Sequence, residues 1–180
     1  QPGVLLEGCM LGMDKIGKEF SEERAAVTNL VISAAAMNAV LKHIKPFLES
    51  GEVKRKGKFV IGTVSGDLHD IGKNLIGFML ECNGFKVIDL GVDVAPEKFV
   101  QAVRDGSQLV GMSAMLTTTM PSMKNTIGAL EEAGLRGNVK VMIGGGQIDE
   151  TVRAYTGADA FGTNAVEAVA LCKRWVGAAA

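Results

Sequence analysis

The chain has 180 residues, a formal net charge of −1 at pH 7, and 47% hydrophobic but only 5% aromatic residues. This length allows one α/β domain with a small additional unit. The balanced charge, without a basic run, argues against a nucleic-acid partner. No apolar run approaches the roughly 20 residues that cross a bilayer, which argues against a membrane protein. Cys9, Cys82 and Cys172 lie far apart, which argues against a disulfide framework and favours a reducing cytoplasm.

The N-terminal part of the chain predicts two helices. Apolar residues recur at three- and four-residue steps from Val4 to Phe20, as on one buried helix face. The second helix is predicted to follow a cap region at 21–24 and to end at Pro46 or Gly51. The charged stretch beyond it is predicted to be a linker. The expected units are a helical domain at 1–50, a linker at 51–58 and a second domain at 59–180.

The start of the chain predicts a missing segment. It begins with Gln1 instead of Met, a helical pattern follows almost at once, and nothing there resembles a signal peptide. We therefore expect that an N-terminal segment has been trimmed or lost.

From Phe59 onward, short apolar runs alternate with helical stretches. Strands are predicted at 59–64, 86–90, 109–113, 139–143 and 159–161. Helices are predicted at 71–83, 96–104, 120–133, 148–155 and 165–175. Strands joined by crossover helices form a doubly wound parallel sheet, for which we expect the strand order 2-1-3-4-5.

Polar residues and glycines follow three of the predicted strands. Asp67 and His69 follow the first, Ser113 and Thr117 follow the third, and 144–146 is a glycine triplet after the fourth. Ligands of such sheets bind at the carboxyl ends of the strands, near the switch point between strands one and three. We therefore expect these residues to converge on one site.

The Asp67-Leu68-His69 spacing suits a metal ligand with a carboxylate partner. A neutral imidazole can offer one nitrogen to a metal while Asp67 accepts a hydrogen bond from the other. Alone, the spacing is more typical of a surface histidine or a helix cap. Zinc needs three or four protein ligands, so a single histidine favours a metal already held by a macrocycle. Haem stays open, although the strand-end glycines and hydroxyls suit a ligand with a polar appendage.

The flanking residues have both functional and structural interpretations. Gly72 would let a ligand approach the start of the helix that follows His69, and the glycine triplet would leave a slot free of side chains. Either could equally belong to an ordinary loop. Thr118 or Thr119 has an even chance of capping the helix at 120–133, whereas Ser113, at a strand end, has less need to cap a helix.

Together these residues resemble the cobalamin-binding signature of B12-dependent methyltransferases and mutases. The matching motifs are Asp67-Leu68-His69-Asp70-Ile71-Gly72, Ser113-Ala114-Met115 and Gly144-Gly145. In addition, 7–14 and 33–37 are similar to the helical cap module of methyltransferase corrinoid proteins and methionine synthase. Met115 stands where the family has Leu, and Ala26-Val27-Thr28 stands where related caps carry an aromatic residue and Pro.

The resemblance implies a flavodoxin-like, five-stranded parallel sheet, a Rossmann-like B12-binding domain with an N-terminal helical cap. It implies cobalamin bound base-off and His-on, with His69 as the lower cobalt ligand and Asp67 holding it. Ser113 or Thr119 would extend this relay, and Ser113 and Thr117 would contact the cofactor tail. The implied cofactor-binding residues are Asp67, Leu68, His69, Asp70, Ile71, Gly72, Ser113, Met115, Thr117, Thr119, Gly144 and Gly145.

The resemblance also implies a function. The chain would carry a methyl group on cobalt from a substrate-specific methyltransferase to a second one that uses tetrahydrofolate or coenzyme M. Such a carrier belongs to anaerobic one-carbon metabolism, depends on a reductive activator protein, and does not turn over alone. Met10, Met13 and Met37 are candidates for covering the methyl group, although core packing is the commoner role of such residues.

Three other functions remain open at this stage. The first is the B12-binding subunit of an adenosylcobalamin-dependent mutase, which would need a separate substrate-binding barrel. The second is a B12-based light or redox sensor, although the early helices lack the basic character of a DNA-binding output module. The third is a flavodoxin-like module for another ligand. The sequence does not distinguish among methanol, methylamines, quaternary amines and methoxylated aromatics as methyl donors.

Overall fold

A computed structural model describes residues 2–49 and 55–177. Two helices come first, α1 at Pro2–Ser21 and α2 at Val27–Glu49. The prediction of a cap at 21–24 is wrong, because Ser21 still belongs to α1 and α2 begins only at Val27. The helix also continues past Pro46, and Gly51 lies outside the described residues.

The strands form one parallel sheet in the order β2-β1-β3-β4-β5, as predicted. They are β1 at Lys58–Thr63, β2 at Lys86–Asp89, β3 at Leu109–Ser113, β4 at Lys140–Gly144 and β5 at Ala160–Gly162. Lys58, assigned to the linker from sequence, is the first residue of β1. This order creates the switch point between β1 and β3 at which ligands of such sheets bind.

The remaining helices cover both faces of the sheet. They are α3 at Ile71–Cys82, α4 at Pro96–Arg104, α5 at Met120–Glu132, α6 at Glu150–Thr156 and α7 at Ala165–Trp175. Two 3₁₀ turns, Thr117–Thr119 and Arg136–Asn138, were not predicted. The predicted helix boundaries otherwise agree with the structure to within about two residues, the usual uncertainty of helix ends.

The core consists of two apolar layers separated by the sheet. Phe59 and Ile61 face α1, α2, α3 and α7, whereas Val60 faces α4 and α5. This alternation follows from the two-residue period of a strand. Met13 and Met37 are buried in the first layer, which is the core-packing role expected for such residues.

One helix among the described residues, α2, is long and apolar enough to cross a membrane by length and composition, over Val27–Ile44 with mean hydropathy 1.3. Its Leu30, Ala34 and Met37 are buried in the same apolar layer as β1 and α3. One face of α2 thus packs on the apolar core, while Val31 and Ile32 on the same helix are exposed.

Gly111 lies in β3 where a side chain has no room. A Cβ atom there would come within 2.4 Å of Phe59 Cζ, and Phe59 is fully buried. We expect Gly111→Ala to lower the free energy of unfolding by about 1–3 kcal/mol, because overpacking displaces buried neighbours. Urea denaturation of the cofactor-free protein measures this change.

Gly128 provides the matched control for this substitution. It lies in α5, and an added Cβ would meet nothing within 4 Å. Gly128→Ala should raise the free energy of unfolding by up to about 1 kcal/mol, since Ala is the better helix former. Equal stabilities of Gly111→Ala and the unsubstituted protein would contradict the packing described here.

Candidate functional site

The carboxyl ends of β1, β3, β4 and β5 surround one cavity of about 560 Å³. Cavities of this size are typical of small-molecule and cofactor sites. Its wall includes the loop from Leu68 to Lys73, the segment 113–115, the glycine triplet 144–146 and the segment 162–165. The sheet order thus brings together the loops that the sequence predicted to converge.

The imidazole of His69 lies at this cavity beside a buried carboxylate. His69 Nδ1 is 2.7 Å from Asp67 Oδ1, and the His69 backbone N–H donates to the same oxygen at 3.0 Å. The His69 side chain is 55% exposed, while that of Asp67 is fully buried. Within residues 2–49 and 55–177, Nε2 has no hydrogen-bond partner, so the second ring nitrogen is free to bind a ligand.

The other oxygen of Asp67 connects the loop after β1 to the loop after β3. Oδ2 accepts hydrogen bonds from the backbone N–H groups of Met115 at 2.8 Å and Leu116 at 3.1 Å, and from Thr119 Oγ1 at 2.9 Å. Burial alone would raise the pKa of Asp67, but the hydrogen bonds from His69, Met115 and Leu116 together hold it well below its ordinary value. Asp67 is therefore an anion that fixes both loops.

The hydroxyl residues of this region take different places. Thr119 precedes α5 without capping it, and its hydroxyl donates to Asp67 and contacts the Leu116 carbonyl oxygen at 2.8 Å. Of the two predicted relay hydroxyls, the one that reaches Asp67 is therefore Thr119. Ser113 lines the cavity instead, and Thr117 lies exposed in the 3₁₀ turn away from the cavity wall.

Exposed apolar side chains line the same cavity as the imidazole. Leu68, Ile71 and Met115 are 70%, 86% and 46% exposed. A Cβ atom at Gly72 would meet nothing within 4 Å. Asp70 does not cap α3 with its side chain and instead accepts a hydrogen bond from Asn74 Nδ2 at 3.0 Å. The result is an open, mostly apolar rim beside one imidazole nitrogen.

Behind the rim, the cavity continues between the sheet and its helices. Ile61, Gly111 and Met142 form the sheet side. Ile76 of α3 and Ala165 of α7 form the helix side. Such a slot suits an elongated appendage of a ligand whose bulk stays at the rim.

The α1–α2 pair closes the opposite side of the cavity. Phe20, Val27 and Leu30 line it. Met10 and Met13, proposed from sequence as covering residues, pack against the apolar layer instead and do not line this cavity. Val27 lies within the Ala26–Thr28 segment that departs from related caps.

Comparison with known proteins identifies the family. A B12-binding domain model matches residues 57–170, and a second B12-binding domain model matches residues 3–45. The dimethylamine corrinoid protein 1 of Methanosarcina acetivorans is 38% identical over 172 residues, 94% of this chain and 81% of its own length. The chain belongs to the methyltransferase corrinoid proteins.

Two solved structures support this membership of the corrinoid protein family. A cobalamin-binding protein from Desulfitobacterium hafniense has a TM-score of 0.81 and 39% identity, covering 94% of this chain and 80% of that one. A methanol:cobalamin methyltransferase complex from Methanosarcina barkeri has a TM-score of 0.85 and 29% identity, and the match covers 99% of this chain and 69% of that one. The fold is therefore a Rossmann-like B12-binding domain with a helical N-terminal part.

The two glycines predicted to line the slot of this corrinoid protein differ in their roles. Gly145 has φ 149°, and a Cβ atom there would lie 1.8 Å from the Ala114 carbonyl oxygen. At Gly144 the nearest atom, the Gly162 carbonyl oxygen, would be 3.5 Å away. Gly145 is needed for the backbone path, whereas Gly144 only leaves space at the cavity wall.

We expect Gly145→Ala to lower the free energy of unfolding of the cofactor-free protein by about 1–3 kcal/mol, because the chain is forced into a strained conformation. Gly144→Ala should leave stability nearly unchanged and weaken corrinoid binding through its added methyl group. Urea denaturation and corrinoid titration measure the two effects. Equal stability losses for the two variants would contradict this division of roles.

Sequence reasoning missed several residues of the site in this corrinoid protein. Phe20 and Leu30 line the cavity, but on the sequence they read as ordinary core positions of a helix. Lys73 is buried at 2% exposure in the cavity wall. Its position immediately after Gly72 was the available signal, since a lysine in the first turn of a helix opposes the helix dipole.

Proposed function

We propose that this corrinoid protein carries a methyl group between two methyltransferases on the cobalt of a cobalamin held base-off by His69. The observation that carries the proposal is the pairing of His69 with the buried Asp67 at the mouth of a slot large enough for a cofactor tail. The site supplies one imidazole, which suits a metal whose other ligands come from a macrocycle.

The residues of the site fit a corrinoid in three ways. His69 Nε2 would be the lower ligand, and Asp67 would keep the Nδ1 proton on the opposite side of the ring. Leu68, Ile71 and Met115 would cover the lower face of the ring, and the slot between sheet and helices would take the displaced base. When bound, the corrinoid supplies the cobalt atom that accepts and releases the methyl group.

The methylated amines are the first donors to test. The trimethylamine corrinoid protein 1 of Methanosarcina mazei is 38% identical over 176 residues, and it resembles this chain as closely as the dimethylamine protein does. We propose a methylamine methyltransferase as the first partner, and as the second a methyltransferase that uses tetrahydrofolate or coenzyme M. A reductive activator and a cytoplasmic location complete the proposal.

Methyl transfer tests the function directly. The protein is reconstituted with hydroxocobalamin, reduced, and mixed with a methylamine methyltransferase and with each methylated amine in turn. We expect one amine to produce the light-sensitive absorption spectrum of bound methylcobalamin. Failure to bind a corrinoid, or a strong preference for adenosylcobalamin with no methylation from any donor, would contradict the proposal and, in the second case, favour a mutase subunit.

A further inference from the structure

Lys73 lies at a position where a lysine needs an explanation. Its side chain is 1% exposed, although lysine is rarely buried without a partner. It lies in the first turn of α3, which contains no acidic residue and has no side-chain cap. A positive charge there opposes the helix dipole, so local helix formation does not account for it.

The ammonium group of Lys73 is fully engaged by two neighbours. Nζ lies 2.7 Å and 2.6 Å from the two carboxylate oxygens of Asp89, at the end of β2, and 2.6 Å from Asn74 Oδ1. The Asp89 side chain is 46% exposed, so the ion pair is only half buried, and the desolvation of Lys73 offsets much of the attraction. The effect of the ion pair here is geometric, since it fixes the start of α3 to the end of β2.

From Asp89, hydrogen bonds lead back to the residue proposed to bind cobalt. Asp89 Oδ1 accepts from the Gly91 backbone N–H at 2.8 Å, and the Gly91 carbonyl oxygen accepts from the Thr63 N–H at 3.0 Å. The Thr63 hydroxyl then donates to the His69 carbonyl oxygen at 2.8 Å. This path reaches the backbone of His69 without passing through Asp67.

A second path of hydrogen bonds from Lys73 reaches Asp70, the residue after His69. Asn74, which accepts from Lys73 Nζ, donates from its side chain to Asp70 Oδ2 at 3.0 Å and from its backbone N–H to the Asp70 carbonyl oxygen at 2.7 Å. Asp70 follows His69 directly. The two paths start at Lys73 and end on adjacent residues, so the covalent His69–Asp70 peptide bond joins them into one ring.

We propose that Lys73 is a positioning residue that holds the backbone of His69 in place for cobalt. This inference rests on the proposed function. Asp67 orients the imidazole ring, whereas Lys73 and Asp89 fix the peptide from which that ring projects. The two devices act on different parts of the same residue, so loss of Lys73 should loosen His69 while the Asp67 hydrogen bonds can still form.

The test compares Lys73→Met with Lys173→Met in the full chain. Lys173 is a matched control, because its side chain is 7% exposed and its Nζ lies 2.7 Å and 2.8 Å from the two oxygens of Asp14, far in sequence from the site. Each protein is titrated with hydroxocobalamin for its affinity. After reduction to cobalt(II), electron paramagnetic resonance of protein labelled with ¹⁵N in histidine gives the fraction in which the cofactor base has left cobalt. Hydrogen exchange of residues 65–74 is measured without cofactor.

We expect Lys73→Met to weaken corrinoid binding about tenfold, to lower the base-off fraction and to speed exchange in residues 65–74. Lys173→Met should change neither the corrinoid affinity, nor the base-off fraction, nor the exchange rate of residues 65–74. The double variant Lys73→Met/Asp89→Asn guards against misfolding, because it removes the unpaired carboxylate while Asn can still accept from Gly91. It should not recover the base-off fraction.

Three results would overturn the inference. They are a normal base-off fraction in Lys73→Met, equal losses in Lys73→Met and Lys173→Met, and full recovery of coordination in the double variant. If the unsubstituted protein binds no corrinoid, the proposed function fails and the inference fails with it. If the unsubstituted protein binds a corrinoid and Lys73→Met binds it in the same way, only the inference fails.

Discussion

Replacing His69 with alanine is expected to leave a folded protein that binds cobalamin about 10- to 100-fold more weakly. The His69 side chain is half exposed, and among residues 2–49 and 55–177 its one hydrogen-bond partner is Asp67. Its removal therefore costs little packing, whereas the cobalt loses its proposed protein ligand. We expect the bound cofactor in His69→Ala to keep its own base on cobalt, which the nitrogen splitting in electron paramagnetic resonance of its cobalt(II) form reports.

The second histidine of the chain is the control for this experiment. His43 is exposed on α2, so His43→Ala should bind cobalamin like the unsubstituted protein and give the same spectrum. If His69→Ala also retained the affinity and the base-off spectrum, another group would have to bind the cobalt, and the assignment of His69 would be wrong.

Replacing Asp67 with asparagine is expected to have the second large effect, on stability as well as binding. The carboxylate is fully buried and accepts hydrogen bonds from His69, Met115, Leu116 and Thr119. An amide NH₂ in place of one oxygen would face donors, and each buried donor left unpaired costs about 1–3 kcal/mol. We expect the free energy of unfolding of Asp67→Asn to fall by about 3 kcal/mol at pH 7.

The loss of stability in Asp67→Asn should be smaller in acid than at neutral pH. The pKa of Asp67 is lowered by folding from its ordinary value of 3.8, so its ionised form stabilises the native state fully above that value. This stabilisation is lost as pH falls below 3.8 toward the lowered folded pKa. The difference between the cofactor-free protein and Asp67→Asn should therefore be constant near neutrality and shrink in acid, as urea denaturation across pH would show.

Asp149→Asn separates this effect from a general response to losing a carboxylate. Asp149 is exposed and accepts one hydrogen bond, from the Val152 backbone N–H at 2.9 Å, as the N-cap of α6. Asparagine fills that role equally well, so stability should change little at any pH. A similarly small effect of Asp67→Asn would show that Asp67 does not hold the two loops together.

The sequence was most informative where local pattern and topology decide the outcome. The strand order followed from short apolar runs joined by helices, and that order made Asp67, Ser113 and Gly144 meet at one edge of the sheet. The pairing of Asp67 with His69 was predicted only together with the motifs after strands three and four, because the two-residue spacing alone is more typical of a surface histidine.

The sequence was less informative where segments that are distant along the chain pack together. The way α1 and α2 lie over the sheet decides that Phe20 and Val27 reach the cavity while Met13 does not, and no local pattern encodes that packing. The 3₁₀ turn that moves Thr117 away from the cavity has no clear signal among three successive threonines. The partner of Lys73 could not be predicted, because Asp89 lies on β2, a separate element from α3.

Electron paramagnetic resonance of the bound corrinoid in its cobalt(II) form tests the central claim most directly. The axial nitrogen splits each cobalt line, into a triplet for ¹⁴N and a doublet for ¹⁵N. Protein labelled with ¹⁵N only in histidine and loaded with unlabelled cobalamin should show doublets, and His69→Ala should not. Triplets in the labelled protein would mean that the cofactor's own base stays on cobalt, and would contradict the assignment of His69 as its ligand.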